Sequence, residues 1–222
     1  MALPRRLAPW LGGAAAALAA VLVPQAAWAH PHVWIEAALR LDVAPDGALR
    51  AVAVTWTFDE LYSQVSVEGL DSDGDGIPSP ADLAPMIDEA MGALEEWGYF
   101  LSLRRDGVRL PTARAGDGRA SFANGRLTYA FTVPLAQPAA LSGAAVEIRA
   151  FDPAFYIDIA VPDATAVSLE GAPERCAVTV TDPPPMEEVM LIGEAAALDA
   201  DVAPGSDGLG GRFAQTVRVA CD

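Results

Sequence analysis

Lysine is absent from this 222-residue chain, and histidine and cysteine occur only twice each. Without lysine there is no Schiff-base chemistry and no lysine general base. The two histidines, His30 and His32, stand together with one residue between them, so none is left elsewhere to serve a Ser-His-Asp triad. There is no G-x-S-x-G, no phosphate-binding loop and no internal repeat. Positive charge is scarce: 14 arginines face 30 acidic residues, for a net charge of −16. Such a chain repels nucleic acid and anionic lipid and attracts cations. The longest apolar run, Leu11 to Val23, is short of the ~20 residues that a membrane-spanning helix needs.

That run has another reading. Arg5 and Arg6 precede it and Ala27-Trp28-Ala29 follows it, the pattern of a cleaved secretory signal peptide over 1–29. The mature chain is then a single extracytoplasmic domain, 30–222, with two subdomains, 30–135 and 136–222, as the alternative division. In an oxidising compartment the pair Cys176 and Cys221 reads as a disulfide. Closing a loop of that length would contribute ~3–4 kcal/mol on the chain-entropy account.

The patterning is mainly β. Val33, Ile35, Ala37, Leu39 and Leu41 alternate on one strand face, Pro45-Asp46-Gly47 is a turn, and Leu49 to Phe58 returns as the second arm of a hairpin. Asp59 is placed to cap a short helix over 60–67, and Ser79-Pro80 opens a second one with apolar positions at Leu83, Met86, Ile87, Ala90, Met91 and Leu94. Further hairpins are expected around Asp106-Gly107 and at Asn124-Gly125. Strands are expected over 146–151, 156–161, 167–169, 177–180 and 213–220. A late helix is expected over Met186 to Leu198, and a Gly-rich linker over 203–211. The fold class that follows is α+β: an antiparallel β-sandwich-like core with an inserted helix–calcium loop–helix and one late helix. Trp34, Trp56, Phe58 and Phe155 are expected to pack that core.

Between the two early helices lies D-S-D-G-D-G-I-P-S-P-A-D, residues 71–82. A calcium loop supplies oxygen ligands from positions 1, 3, 5, 7, 9 and 12, with glycine at 6 for the bend. Those positions are Asp71, Asp73, Asp75, the Ile77 carbonyl, Ser79 and Asp82, with Gly76 at the bend. Gly at position 4 and Asp at position 12 resemble a dockerin loop more than a calmodulin loop. Pro78 departs from the pattern, and no sister loop exists. The competing reading is a solvated acidic turn that holds no ion, but a plain turn needs no such phased spacing. A lone extracellular loop of this type binds with Kd on the order of 10⁻⁴ M or tighter, and its role is structural.

The histidines form His30-Pro31-His32 at the expected new N-terminus. Two imidazoles and the α-amine suit zinc, copper, nickel or cobalt, with Glu36, Asp59, Glu60, Asp152 or Asp158 to complete the ligand set. The alternative is a merely polar N-terminus.

Taken in order, H-P-H-V-W-I-E at 30–36, W-T-F-D-E-L-Y-S at 56–63, the aspartate loop, W-G-Y-F at 97–100 and F-D-P-A-F-Y at 151–156 carry a resemblance over nearly the whole mature chain. The set resembles an uncharacterised bacterial family described as periplasmic components of ABC-type transport systems, a domain of unknown function. The resemblance implies a periplasmic location and a partnership with a metal permease or ABC-type transporter. It directs attention to His30, His32, Phe58, Asp59, Glu60, Asp152 and Tyr156. The function expected is therefore non-enzymatic: an accessory protein of transition-metal transport that also holds calcium. The alternative is a calcium-stabilised interaction module with no transition metal.

Overall fold

A computed structural model describes residues 31–185 and 203–222. The first expected hairpin is present as β1 (Val33–Val43) and β2 (Ala48–Phe58), antiparallel, with Ile35 opposite Phe58 and Leu41 opposite Val52. Every second residue of β1, from Val33 to Val43, is buried. Two helices follow, α1 (Glu60–Ser66) and α2 (Pro80–Glu96). The remaining elements are β3 (Leu101–Arg105), β4 (Val108–Arg109), β5 (Gly116–Ala123), β6 (Arg126–Ala140), β7 (Val146–Ala150), β8 (Ile157–Ala160), β9 (Val167–Glu170), β10 (Cys176–Thr181), the single turn α3 (Gly210–Phe213) and β11 (Thr216–Cys221).

The strands form two sheets. The first runs β5-β6-β2-β1-β8, with β9 also on β1; the second runs β10-β11-β7-β3-β4. The two sheets share one hydrophobic cluster, to which Leu39, Val54 and Trp56 come from the first sheet and Leu103, Ile148 and Val219 from the second. Trp56 lies near its centre, edge-on to Phe131 at 5.0 Å. Burying large aromatics in this way supplies much of the apolar area that holds such a layer together. At one edge of the second sheet, Cys176 and Cys221 face each other across β10 and β11 and form the expected disulfide.

Two features differ from an all-antiparallel reading. First, β8 and β9 lie parallel to β1, end to end along it: Ile159 sits beside Ile35 and Leu169 beside Leu41. The turn at Asp152-Pro153 does not fold a hairpin. It carries the chain from β7 in the second sheet across to β8 in the first. Second, Trp34 is not a core residue but is 50% exposed. Its neighbours Val33 and Ile35 both face inward, so the two-residue period of the strand turns Trp34 outward. Trp56, Phe58 and Phe155 are buried as expected. The expected linker over 203–211 runs into α3. The expected helix over 186–198, the signal peptide over 1–29 and His30 lie outside the described residues.

The helical arm is fixed at both ends by local chemistry. Asp59 caps α1, and Ser79 caps α2 in a reciprocal capping box with Asp82, with Pro80 in the first turn. α2 then packs on β5, where Gly118 faces Met91. A Cβ at Gly118 would lie 2.7 Å from the Met91 Cγ, so any larger residue there has to displace the Met91 side chain.

Candidate functional site

The acidic loop joins the two helices, and its carboxylates converge. Among the described residues, one group of three metal-ligating side chains has its donor atoms within 4.8 Å of one another: Asp71, Asp73 and Asp75. The convergence follows from local hydrogen bonding. Asp71 Oδ1 accepts the Gly74 N–H at 3.0 Å and Asp71 Oδ2 accepts the Gly76 N–H at 2.7 Å. Asp73 accepts the Asp75 N–H at 3.3 Å, and Asp75 accepts the Ile77 N–H at 2.8 Å. Each is a side chain curling back on its own backbone, the turn chemistry natural to aspartate. Gly76 has φ +91°, a conformation that side-chain-bearing residues rarely adopt, and this makes the bend that returns Ile77 toward the loop.

The Gly76 N–H, above the other contributors, holds the Asp71 carboxyl below its ordinary range. Three ionised carboxylates at this separation repel one another, and a hard divalent cation would relieve that repulsion with the oxygen donors it prefers. The far end of the loop is arranged differently. Asp82 Oδ2 accepts both the Ser79 N–H at 2.8 Å and the Ser79 hydroxyl at 2.6 Å. The Ser72 hydroxyl, then Ser79, hold the Asp82 carboxyl below its ordinary range. Ser79 and Asp82 thus close the loop against Ser72 and cap α2, while Ile77 is exposed.

The residues expected to complete a transition-metal site are dispersed by their roles in the fold. Asp59 Oδ1 accepts the Tyr62 N–H at 2.9 Å, and its Oδ2 accepts the Trp34 N–H at 3.1 Å, fastening α1 to the start of β1. Asp152 is 6% exposed. Its Oδ1 accepts the Ala154 N–H at 2.9 Å, and its Oδ2 accepts those of Tyr156 and Ile157 at 2.9 and 3.1 Å. Glu60 begins α1 and is exposed. His32 donates its backbone N–H to the Tyr156 carbonyl at 2.9 Å, and the two rings lie 4.7 Å apart. On the same outer face Trp34 stands beside Asp158, whose carboxyl is pushed upward by burial. Glu36 pairs with Arg126 at 3.1 Å.

Two further residues that hold this end of the molecule together are not among the expected site residues. Ser63 is fully buried; its hydroxyl donates to the Asp59 carbonyl at 2.5 Å and accepts the Leu127 N–H at 2.9 Å, riveting α1 to β6. Arg126 directs its guanidinium at the carbonyls of Phe58 and Thr57, at 2.7 and 3.2 Å, closing the end of β2. For Arg126 the preceding Asn124-Gly125 turn is a signal that the chain doubles back here. Ser63 ends the W-T-F-D-E-L-Y-S run and its bond to Asp59 is local, but nothing nearby announces the bond from Leu127, 64 residues away in sequence.

Among the described residues no helix is long and apolar enough to cross a membrane. No curated protein matches the chain. A family profile described as "Protein of unknown function (DUF1007)" matches residues 15–221, nearly the whole sequence, and the chain belongs to that family.

Proposed function

We propose that this protein is an extracytoplasmic binding module whose helix–loop–helix arm is braced by one calcium ion. The observation that carries this reading is the convergence of the Asp71, Asp73 and Asp75 carboxylates within 4.8 Å at positions 1, 3 and 5 of the loop. In this reading the Ile77 carbonyl, Ser79 and Asp82 complete the oxygen set, and the ion fixes the angle between α1 and α2. The role is binding rather than catalysis, in keeping with a chain that has no lysine and a single histidine pair.

Thermal unfolding tests this directly. With Kd on the order of 10⁻⁴ M, about 10 mM calcium would stabilise the fold by ~2.7 kcal/mol, or roughly 5–10 °C in Tm for a domain of this size. Asp73→Ala should remove that rise while leaving the melt in chelator nearly unchanged. Equal melts of the native protein in calcium and chelator would refute the reading.

A second reading adds a transition metal, as expected of an accessory to a metal permease or ABC-type transporter in the periplasm. What favours it is His32, set on the exposed outer face against the Tyr156 ring near the start of β1. Asp59 and Asp152 contribute less to such a site than their place in the sequence implies, since backbone donors already engage their oxygens. Zinc, nickel, cobalt or copper would then rest on His30, His32 and outer-face acids such as Asp158. Titration of those metals against His32→Ala, with calcium binding unaffected, separates the two readings.

A further inference from the structure

Between residues 51 and 103 the sequence contains no arginine, lysine or histidine, yet it holds eleven acidic residues. This stretch includes most of β2, the whole helical arm and the acidic loop. It also carries half of the large apolar side chains that the described residues leave in solvent: Leu61 (76% exposed), Val65 (65%) and Ile77 (58%). Leu61 and Val65 are one helical turn apart, so they form a ridge on the outward side of α1. Ser63 fixes the opposite side against β6, and the ridge is therefore not free to rotate inward.

Beside the ridge lies an open groove of about 390 Å³ between α1, the loop and β5. Val65, Val67, Pro78 and Phe122 give it apolar walls, and Glu68 and Asp71 stand on its rim. Arg126, the first residue of the neighbouring β6, does not neutralise the rim, because its guanidinium is engaged by Phe58, Thr57 and Glu36. An apolar groove flanked by exposed apolar side chains marks an interaction site, and an anionic rim that keeps Glu68 outside the calcium loop selects its partner.

We propose that this groove docks a cationic, amphipathic segment of another polypeptide, with an apolar side chain seated between Val65 and Phe122 and guanidinium or ammonium groups over Glu68 and Glu60. A second copy of this chain would bring like charge to like charge, and an anionic bilayer would be repelled in the same way. The helix-in-groove mode suits the surface, since apolar anchors spaced by helical turns can meet both the Leu61–Val65 ridge and the apolar wall beside it. Glu60 and Glu68 lie outside the calcium ligand set, so the inference does not rest on the loop being loaded.

The probe is a fluorescein-labelled synthetic peptide with leucine and arginine at helical spacing, and its control carries glutamate in place of arginine. Anisotropy is followed on titration with the purified protein, in calcium and in chelator. The arginine peptide is expected to bind saturably, one to one, and more weakly as salt rises, while the glutamate peptide stays free. Val65→Ser, at an exposed position that leaves the fold intact, should weaken binding about tenfold, and Glu68→Gln should flatten the salt dependence. Failure of the arginine peptide to bind overturns the proposal, as does equal affinity for native protein and Val65→Ser. A Val65-dependent dimer in sedimentation overturns it too, by giving the groove to a second copy. The calcium reading stands or falls separately, on the melting shift.

Discussion

Two groups of aspartates meet opposite fates in this molecule. In the acidic loop, Asp71, Asp73 and Asp75 sit at the surface, accept hydrogen bonds from their own turn and still direct oxygens at a common point. At the crossover between the sheets, Asp152 is buried and surrounded by three backbone N–H groups, and at the start of α1 Asp59 is held by two. The carboxylate is the same in both places. Backbone donors engage it in both places, and what differs is its company. Asp59 and Asp152 each tie separate stretches of backbone by themselves and so complete the fold, whereas the three loop carboxylates also face one another and are left to share something brought from outside.

That contrast can be broken by substitution. The largest effect is expected at Asp152. Asp152→Ala would take the acceptor from three partly buried N–H groups and should destabilise the protein by ~3 kcal/mol, in calcium and chelator alike, read by denaturant unfolding. Asp73→Ala should come next and show its effect only in calcium. Asp59→Ala should cost about 1–2 kcal/mol, the usual loss for a helix cap, again whatever the calcium level. If Asp152→Ala or Asp59→Ala instead abolished the calcium-dependent part of the melt, the division drawn between the two groups would fail.

The smallest effect has the opposite sign. Burial raises the Asp158 carboxyl above its ordinary value. The folded state therefore binds the proton more tightly than the unfolded chain, and stability falls as pH rises from the unfolded value through the folded one. Asp158→Asn should thus stabilise slightly at neutral pH and change nothing below pH ~3, where both states carry the proton. A stabilisation that persisted into acid would point to packing rather than charge.

Much of this could be read from the chain before folding. The alternation from Val33 to Leu41, the capping residues Asp59 and Ser79, the Asn124-Gly125 turn and the phased aspartates are all local signals, decided within a few residues. What escaped is decided by distance. Nothing near Ile157 or Val167 says that both will lie parallel to β1, because that depends on which strand is still unpaired when they arrive. Asp152 beside a proline reads as a surface turn, and only the neighbouring sheet makes it buried. Trp34 looked like core because it is large, although the period of its own strand already turned it outward. The disulfide was legible from number alone, since two cysteines have one possible pairing.

The parallel pairing of β8 and β9 with β1 has a consequence for how the chain must be made. β1 is the first element of the described fold, yet one of its edges is completed only by Ile157–Ala160 and Val167–Glu170. A chain that emerges N-terminus first can close the β1–β2 hairpin at once, but its other edge stays open for more than a hundred residues. Loop closure of that length is slow, and an unpaired strand edge invites the wrong neighbour. Assembly of this protein is therefore gated by its last third, and truncations that spare the acidic loop and both helices but end before Ile157 should yield a sticky intermediate rather than a smaller working module.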